Sequence, residues 1–566
     1  MSETATRADA VSSTTQRVNI ARRLSETAAQ MPEAIAVVVP GRRRRGRRQY
    51  QTITFRQLED ETNRLAGGLR ALGVMPGMRL ALLVRPGQEF IALVFALFKA
   101  GAVIVLVDPG MGRGNLLRCL AEAEPDGFVA IPVAHMMRTL FRKRFPQAHL
   151  NVTVGRRWFW GGATLDEVRG MGDGTAVCHD TSADDPAAII FTSGGTGPPK
   201  GVLYRHGNFD RQVTEIRDRY AIRPGEIDLA AFPLFGLFNC AMGVTTVVPA
   251  MDASRPARVN PRNIVEAVQD WQVTQSFGSP AIWNRVGEYC HRRGIKLPTL
   301  ARVLSAGAPV PPHVLHRMKR VIAPQGDVHT PYGATEALPV ASIAASEVLA
   351  ETRSAWARGA GTCVGTKFPG IEWRVIRIDE RPLAKLSDTV EMSAGKIGEL
   401  IVSGPVVTRE YVTRTQWNAL AKIHDSTRVW HRMGDVGYLD PRGRFWFCGR
   451  MAHRVQTAEG VMFTIPCEAI FNQHPDVYRA ALVGVGPAGN QLPVIVVEPW
   501  PQRRPRGRGA RRKLINELRG LARANPLTAG IRDFLIHRAL PVDVRHNAKI
   551  AREKLALWAE PRLKSE

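Results

Sequence analysis

The chain lacks most of what marks a secreted or membrane-spanning protein. Its seven cysteines (Cys119, Cys178, Cys240, Cys290, Cys363, Cys448 and Cys467) are scattered and odd in number, with no C-x-x-C pair. That argues against a disulfide framework and a zinc site, and suits a reducing cytoplasm. The opening stretch "MSETATRADAVSSTTQRVNIARR" is polar and has no apolar centre of the kind a signal peptide needs. One run mimics a membrane span, "FIALVFALFKAGAVIVLVD" (90–108), and Lys99 interrupts it just before Ala100-Gly101. Its length and β-branched content predict a buried helix ending near Lys99, a tight turn, and a buried strand over Val103–Val107, with no transmembrane segment.

Acidic charge is also in short supply. Against 77 Lys and Arg there are 51 Asp and Glu, a formal net charge of +26. Much of the excess sits in "GRRRRGRRQY" (41–50) and "PQRRPRGRGARRK" (501–513). Such runs raise the reading of a basic nucleic-acid-binding protein. Pro and Gly break the second run, however, and no aromatic residue interleaves it, so neither a stacking platform nor a basic helix is expected there. Both runs read as solvated loops. They predict no specific nucleic acid, and leave acidic substrates or a peripheral contact with lipid headgroups as partners.

At 566 residues the chain is long enough for two or more domains. The hydrophobic fraction of 45% and charged fraction of 23% are those of a soluble globular protein. Short β-branched runs alternate with helical stretches, which predicts α/β layers with parallel sheets. "PAAIIFT" (186–192) and "GVLYRH" (201–206) read as strands, and Asn208 as the cap of a helix over "FDRQVTEIRDRY". "GSPAIWNRVGEYCHRRG" (278–294) has a Ser cap, a first-turn Pro and a terminal Gly. "ARVLSAGAPVPP" (301–312) reads as a strand opening into a loop. Near residue 450 the texture changes. "GRFWFCGR" (443–450) reads as a strand pair ending in a turn, followed by strands at 480–486 and 493–498 and helices around 511–524 and at the end. The expected division is a large domain over 1–449 and a small one over 450–566, with the basic run 501–513 as a loop in the latter.

The chemistry-bearing stretch is "FTSGGTGPPKG" (191–201). Successive N–H groups of a Gly-rich turn form an anion site, to which Thr192, Ser193 and Thr196 add hydroxyls and Lys200 a positive charge. Pro199 before Lys200 and Gly201 after it depart from the usual P-loop pattern. By itself such a loop is equally a flexible linker. "TPYGATEALP" (330–339) adds Tyr332, which could stack on a base, and Glu336, a carboxylate suited to Mg²⁺. "HRMGDVGYLDPRGRFWFCGR" (431–450) adds Asp435, an acceptor for ribose hydroxyls, and the fork-shaped donor Arg450. "DVRHNAKIAREKL" (543–555) places Lys549 in a short loop ahead of the last helix. Taken singly, Asp435 reads as a turn cap, Glu336 as a surface acid and Lys549 as a solvated lysine.

Taken together, in this order and spacing, the four stretches resemble the adenylate-forming superfamily of acyl-CoA synthetases, adenylation domains and luciferases, over roughly residues 50–560. "SAGAPVPP", "TPYGATE", "GAGTCVG", "HRMGDVGY", "WFCGR" and "RHNAKIAREKLA" are most similar to the olefin-pathway β-lactone synthetases. The resemblance implies an α/β fold with a large multi-layer N-terminal domain and a small, mobile α+β cap. It implies ATP and Mg²⁺, a 2-alkyl-3-hydroxy fatty acid as substrate, and association with other enzymes of such a pathway. It assigns Thr192, Ser193, Gly194, Gly195, Thr196, Gly197 and Lys200 to the phosphate loop. Gly307, Ala308 and Pro309 would line adenine, with Tyr332 against its face and Gly333 and Ala334 beside it. Thr335 and Glu336 would approach the α-phosphate, with Glu336 and Thr196 on the metal. Asp435 would hold the ribose with support from Arg450, and Lys549, Glu336 and Lys200 would be catalytic. Phe232, Phe235, Phe238, Phe277 and Gly278 are the expected acyl pocket, although each Phe reads equally well as core. Gly195, His453 and Ala548 depart from the commonest residues of the superfamily. Gly236, in "FPLFGLFN", stands where many acyl-CoA synthetases carry His, which argues against a thioester-forming enzyme. A long-chain acyl-CoA ligase or acyl-AMP ligase is the alternative within the family. His206 and the adenylate phosphate are the candidate bases for ring closure.

Overall fold

Parallel strands need crossovers long enough to cover a sheet face, and the alternation of β-branched runs with helices supplies them. The computed structural model describes residues 17–176, 178–192, 197–232, 234–426, 428–543 and 549–563. A seven-stranded sheet takes the order Ala163–Thr164, Leu150–Thr153, Gly127–Ala130, Arg79–Leu83, Val103–Leu106, Pro186–Phe191, Gly201–Arg205. Its first six strands are parallel, so their carboxyl ends share one edge. A nine-stranded sheet has a parallel centre of Asp327–Ala334, Arg302–Ser305, Gln275–Gly278, Ile227–Ala230, Thr245–Val247 and Ile35–Arg44, flanked by antiparallel strands. An antiparallel sheet containing Gly398–Ser403, Val429–Leu439 and Phe445–Arg450 completes the main layers. The arrangement is the α/β, multi-layer one expected.

The interrupted apolar run is helix Gln88–Ala100, a left-handed turn at Gly101 (φ 83°), then strand Val103–Leu106. Lys99 is tolerated inside it because its ammonium is fully partnered. Nζ lies 2.8 Å from Thr62 Oγ1, 2.6 Å from Asn63 Oδ1 and 2.7 Å from Glu59 Oε1. Among the described residues no helix is long and apolar enough to cross a membrane.

Residues from Val455 to Ala559 build two apolar clusters of their own, around a three-stranded sheet of Val477–Val485, Leu492–Pro499 and Asp533–Ile536. Among the described residues no strand ladder joins them to residues before 451.

Several local expectations need correction. The basic run 501–513 is a loop only in its first half: from Gly507 it is helix, and Gly507–Arg523 passes through Arg508, Arg511, Arg512 and Lys513. Leu514, Leu518 and Ala522, four residues apart, are buried on one face, and that burial outweighs two glycines confined to the first turn. The run 41–50 is likewise a hairpin of Ile35–Arg44 and Arg47–Thr54, turned at Arg45 and Gly46, where Arg43 and Arg48 both reach Glu266. Helix His206–Tyr220 begins two residues before Asn208. The Asn208 side chain accepts the Arg205 N–H from inside the first turn (2.9 Å). Ser279 holds the N-cap position of Pro280–Arg293 without bonding to it. Residues 443–450 supply one strand only, Phe445–Arg450, which lies between Val429–Leu439 and Thr362–Cys363.

Candidate active site

The carboxyl end of strand Pro186–Phe191 opens directly into the glycine-rich loop, whose base is tied by its first hydroxyl. Thr192 N–H donates to the Lys200 carbonyl (3.0 Å), and Lys200 N–H donates to Thr192 Oγ1 (3.1 Å). Thr192 therefore fixes the loop's two ends. Gly197 is described, with open space where a Cβ would stand. Ser193, Gly194, Gly195 and Thr196 lie outside the described residues, as does Ala548.

Lys200 stands over two rings, 4.9 Å from the centroids of both Tyr411 and Trp417. Burial lowers its pKa, and the nearby Glu336 carboxylate opposes that shift. Thr335 and Glu336 form the turn between strands Asp327–Ala334 and Ala337–Ala344. A Cβ at Gly333 would lie 2.6 Å from the Ala337 carbonyl, so glycine is what lets this hairpin close. Thr335 is held through its carbonyl, which accepts the Tyr204 hydroxyl (2.6 Å). Glu336 Oε1 accepts the buried Tyr411 hydroxyl (2.6 Å), and its carbonyl accepts both Thr408 N–H and Thr408 Oγ1–H. Behind them Lys422 is fully buried, donating to the Thr408 carbonyl (2.5 Å). Burial pushes Lys422 down to about 7 against the pull of Glu336 and Glu410.

A second cluster forms where antiparallel pairing sets Asp435 opposite Arg450. Asp435 Oδ1 lies 3.1 Å from Arg450 Nε as an ion pair, and Oδ2 accepts the Tyr332 hydroxyl (2.5 Å). Arg450 Nη1 donates to the Met433 carbonyl (2.8 Å). Burial raises the Asp435 carboxyl, while Arg450, the Tyr332 hydroxyl and Lys549 oppose it. Lys549 thus belongs to the electrostatic surroundings of Asp435, although it arrives from the far end of the chain. Apart from that ion pair with Arg450, Oδ1 of Asp435 is buried and accepts no hydrogen bond among the described residues. Gly307 (φ 95°), Ala308 and Pro309 occupy the loop after Arg302–Ser305, the strand paired with the one carrying Tyr332, Gly333 and Ala334.

The four expected pocket rings divide in two. Phe235 and Phe238 are buried core, their centroids 5.5 Å apart. Phe232 and Phe277 are half-buried, and Phe277 stacks on Phe235 at 3.9 Å. Gly278 leaves room for Trp283, whose ring would stand 3.1 Å from a Cβ.

A model of the family described as "AMP-binding enzyme" matches residues 24–412. Over 554 residues the chain is 47% identical to an olefin beta-lactone synthetase of Stenotrophomonas maltophilia, covering 96% of this chain and 98% of that one. Identity to an olefin beta-lactone synthetase of Xanthomonas campestris pv. campestris is 46% over 550 residues, covering 96% and 97%.

The chain belongs to the AMP-binding enzyme family. It is an ATP-dependent, AMP-forming enzyme. The same fold occurs in the amide bond synthetase McbA of Marinactinospora thermotolerans, with TM-score 0.77 and 21% identity over 95% of this chain and 99% of that one. ATP-bound MatB of Rhodopseudomonas palustris has TM-score 0.76 and 20% identity over 96% and 99%.

For an AMP-binding enzyme the remaining residues sort clearly. His206 is no candidate base. It is buried, accepts the Ile20 N–H on Nδ1 (3.3 Å), packs on Phe98, and is pushed down to about 4 by burial. A Cβ at Gly236 would stand 2.8 Å from Cδ1 of buried Ile91, so any side chain there must displace core. His453, just past Arg450, meets Glu553 of the last helix at 3.2 Å. Tyr411, Trp417 and Lys422 went unnoticed in the sequence. They carry no local motif and join Glu336 and Lys200 only through folding.

Proposed function

We propose that this enzyme is a β-lactone synthetase. It adenylates the carboxylate of a long-chain 2-alkyl-3-hydroxy acid and then closes the ring with the substrate's own hydroxyl. The observation that carries this is 46–47% identity, over nearly the full length, to enzymes named for that activity.

In the first step a carboxylate oxygen attacks the α-phosphorus of ATP, and the bond to the bridging oxygen breaks to release pyrophosphate. Lys200 and Lys549 stabilise the charge spreading over the phosphate oxygens by being in place beforehand. Glu336 and Thr196 would hold Mg²⁺, which supplies further neutralisation of the phosphates; a carboxylate and a hydroxyl are the hard oxygen donors that ion takes. In the second step the 3-hydroxyl oxygen attacks the activated carbonyl carbon, the carbonyl–phosphate bond breaks and AMP departs. Nucleophile and electrophile are tethered, so little orientation entropy remains to be lost. With His206 out of reach, the departing phosphate is the acceptor for the hydroxyl proton.

The large lobe is residues 1–449 and the cap 450–566, the cap delivering Lys549 to the nucleotide. Seven free thiols suit a reducing cytoplasm. The test is to incubate the protein with ATP, Mg²⁺ and a racemic 2-alkyl-3-hydroxy acid, with and without CoA, and to look for AMP and a strained lactone by NMR. Lactone without CoA is expected. A thioester formed only with CoA overturns the reading in favour of an acyl-CoA ligase.

A further inference from the structure

Between Asp126 and Asp166 the sequence has no acidic residue at all, and it carries Arg138, Arg142, Lys143, Arg144, Arg156 and Arg157. The same segment exposes apolar side chains of a kind usually buried. Helix Pro132–Leu140 turns Val133 (54% exposed), Met136 (42%) and Leu140 (76%) to solvent, at spacings of three and four residues that place them on one face. The loop 155–162 adds Trp158 (52%) and Phe159 (73%). Loop and helix are neighbours because they follow the paired parallel strands Gly127–Ala130 and Leu150–Thr153 at the same edge, and Trp160 ties one to the other. Trp160 is buried, donates to Thr153 Oγ1 (2.9 Å) and stacks on His135 of the helix at 5.7 Å, while Trp158 and Phe159 lie 5.3 and 5.1 Å from its ring. Arg142, Lys143, Arg144 and Arg156 are exposed and make no ion pair among the described residues.

We propose that this surface docks the enzyme on an anionic lipid bilayer, with Trp158, Phe159, Met136 and Leu140 entering the interface and the surrounding arginines and lysine meeting the headgroups. Contiguous exposed apolar side chains are unusual on a protein that stays in water. Tryptophan with basic residues is the pairing that suits the boundary between headgroups and acyl chains. A nucleic acid would stack on the rings but has no use for Val133, Met136 and Leu140. The place in the fold also fits. The helix starts, and the loop emerges, at the carboxyl edge of the seven-stranded sheet, the edge that opens into the glycine-rich loop. Strand Gly127–Ala130 is three places from Pro186–Phe191, or about 14 Å at ordinary strand spacing. Just past strand Arg79–Leu83, a cavity of about 500 Å³ is lined by Arg85, Pro86, Ala230, Val248, Met251 and Asp252. On the proposed reading of the substrate as a long-chain acid, a bilayer seated on the patch lies at the same sheet edge as the glycine-rich loop.

The test is flotation of the full-length enzyme with phosphatidylcholine vesicles containing or lacking phosphatidylglycerol. Binding is expected only with the anionic lipid, falling as salt rises. The double variant W158S/F159S is expected to weaken it at least ~10-fold, since two aromatic anchors leave the interface. Its AMP formation on a short, water-soluble acid should stay at the wild-type rate, which also reports that it folds. A charge control, R42Q/R44Q/R45Q in the other basic segment, should bind like wild type. A dye on the thiol of Trp158→Cys should shift to a less polar signal on vesicles. Failure to float overturns the proposal, as does loss of binding in the charge control but not in W158S/F159S. A dye at that position that stays in water while the protein floats overturns it too, and capture by an acidic protein without lipid binding points to a protein partner instead.

Discussion

Replacing Tyr411 with Phe removes one oxygen from beneath the proposed phosphate site and almost nothing else. The hydroxyl donates to Glu336 Oε1 at 2.6 Å, and Tyr411 is 2% exposed, so water cannot easily take its place. The ring face turned toward Lys200 and Lys422 survives in Phe. What is lost is a hydrogen bond to a charged acceptor, worth about 1.5–3 kcal/mol. If Glu336 must be held in that orientation to act on the phosphates, kcat/KM for adenylation falls by about 10- to 150-fold, at 1.4 kcal/mol per decade. Pyrophosphate release, measured across ATP and Mg²⁺ titrations, reads the effect. A double-mutant cycle with Glu336→Gln isolates it: the double variant should be scarcely worse than Glu336→Gln alone. A Tyr411→Phe enzyme within about twofold of wild type, or effects that add to within about 0.5 kcal/mol in the cycle, would refute the idea that Tyr411 acts through Glu336.

Three further outcomes are expected. Lys549→Ala should nearly abolish AMP release and leave ATP affinity, followed by equilibrium binding, largely intact; wild-type adenylation would exclude the proposed role. Lys422 has a folded pKa of about 7 against 10.5 in an ordinary lysine, so the unfolded chain binds the extra proton between those values and stability rises with pH across that window. The thermal midpoint should follow that rise and lose much of it in Lys422→Met; an unchanged slope would mean that Lys422 titrates normally. Gly236→His should lower stability by about 1–3 kcal/mol through overpacking against Ile91, without creating CoA dependence, as denaturant unfolding and product analysis would show.

The proposed site was read from local stretches, and one of them shows why: in the Tyr332–Glu336 turn, Gly333 is needed for the backbone to close against Ala337. The basic segment 501–513 misled for the opposite reason. Its glycines and prolines look like a loop one residue at a time, while the helix is set by Leu514, Leu518 and Ala522 meeting a core built elsewhere. The same limit hid Tyr411 and Lys422, and it left the four phenylalanines undivided between core and cleft.

The α/β alternation, the buried helix and strand of 88–106 and the sites of concentrated charge were settled by the sequence alone, because they rest on composition and short-range periodicity. Which carboxylate Tyr411 supports, why Lys99 and Lys422 can be buried, which rings face the cleft and where an apolar patch stays uncovered were settled by tertiary packing. Burial changes what each charge costs, and only residues brought together from distant parts of the chain decide what is buried.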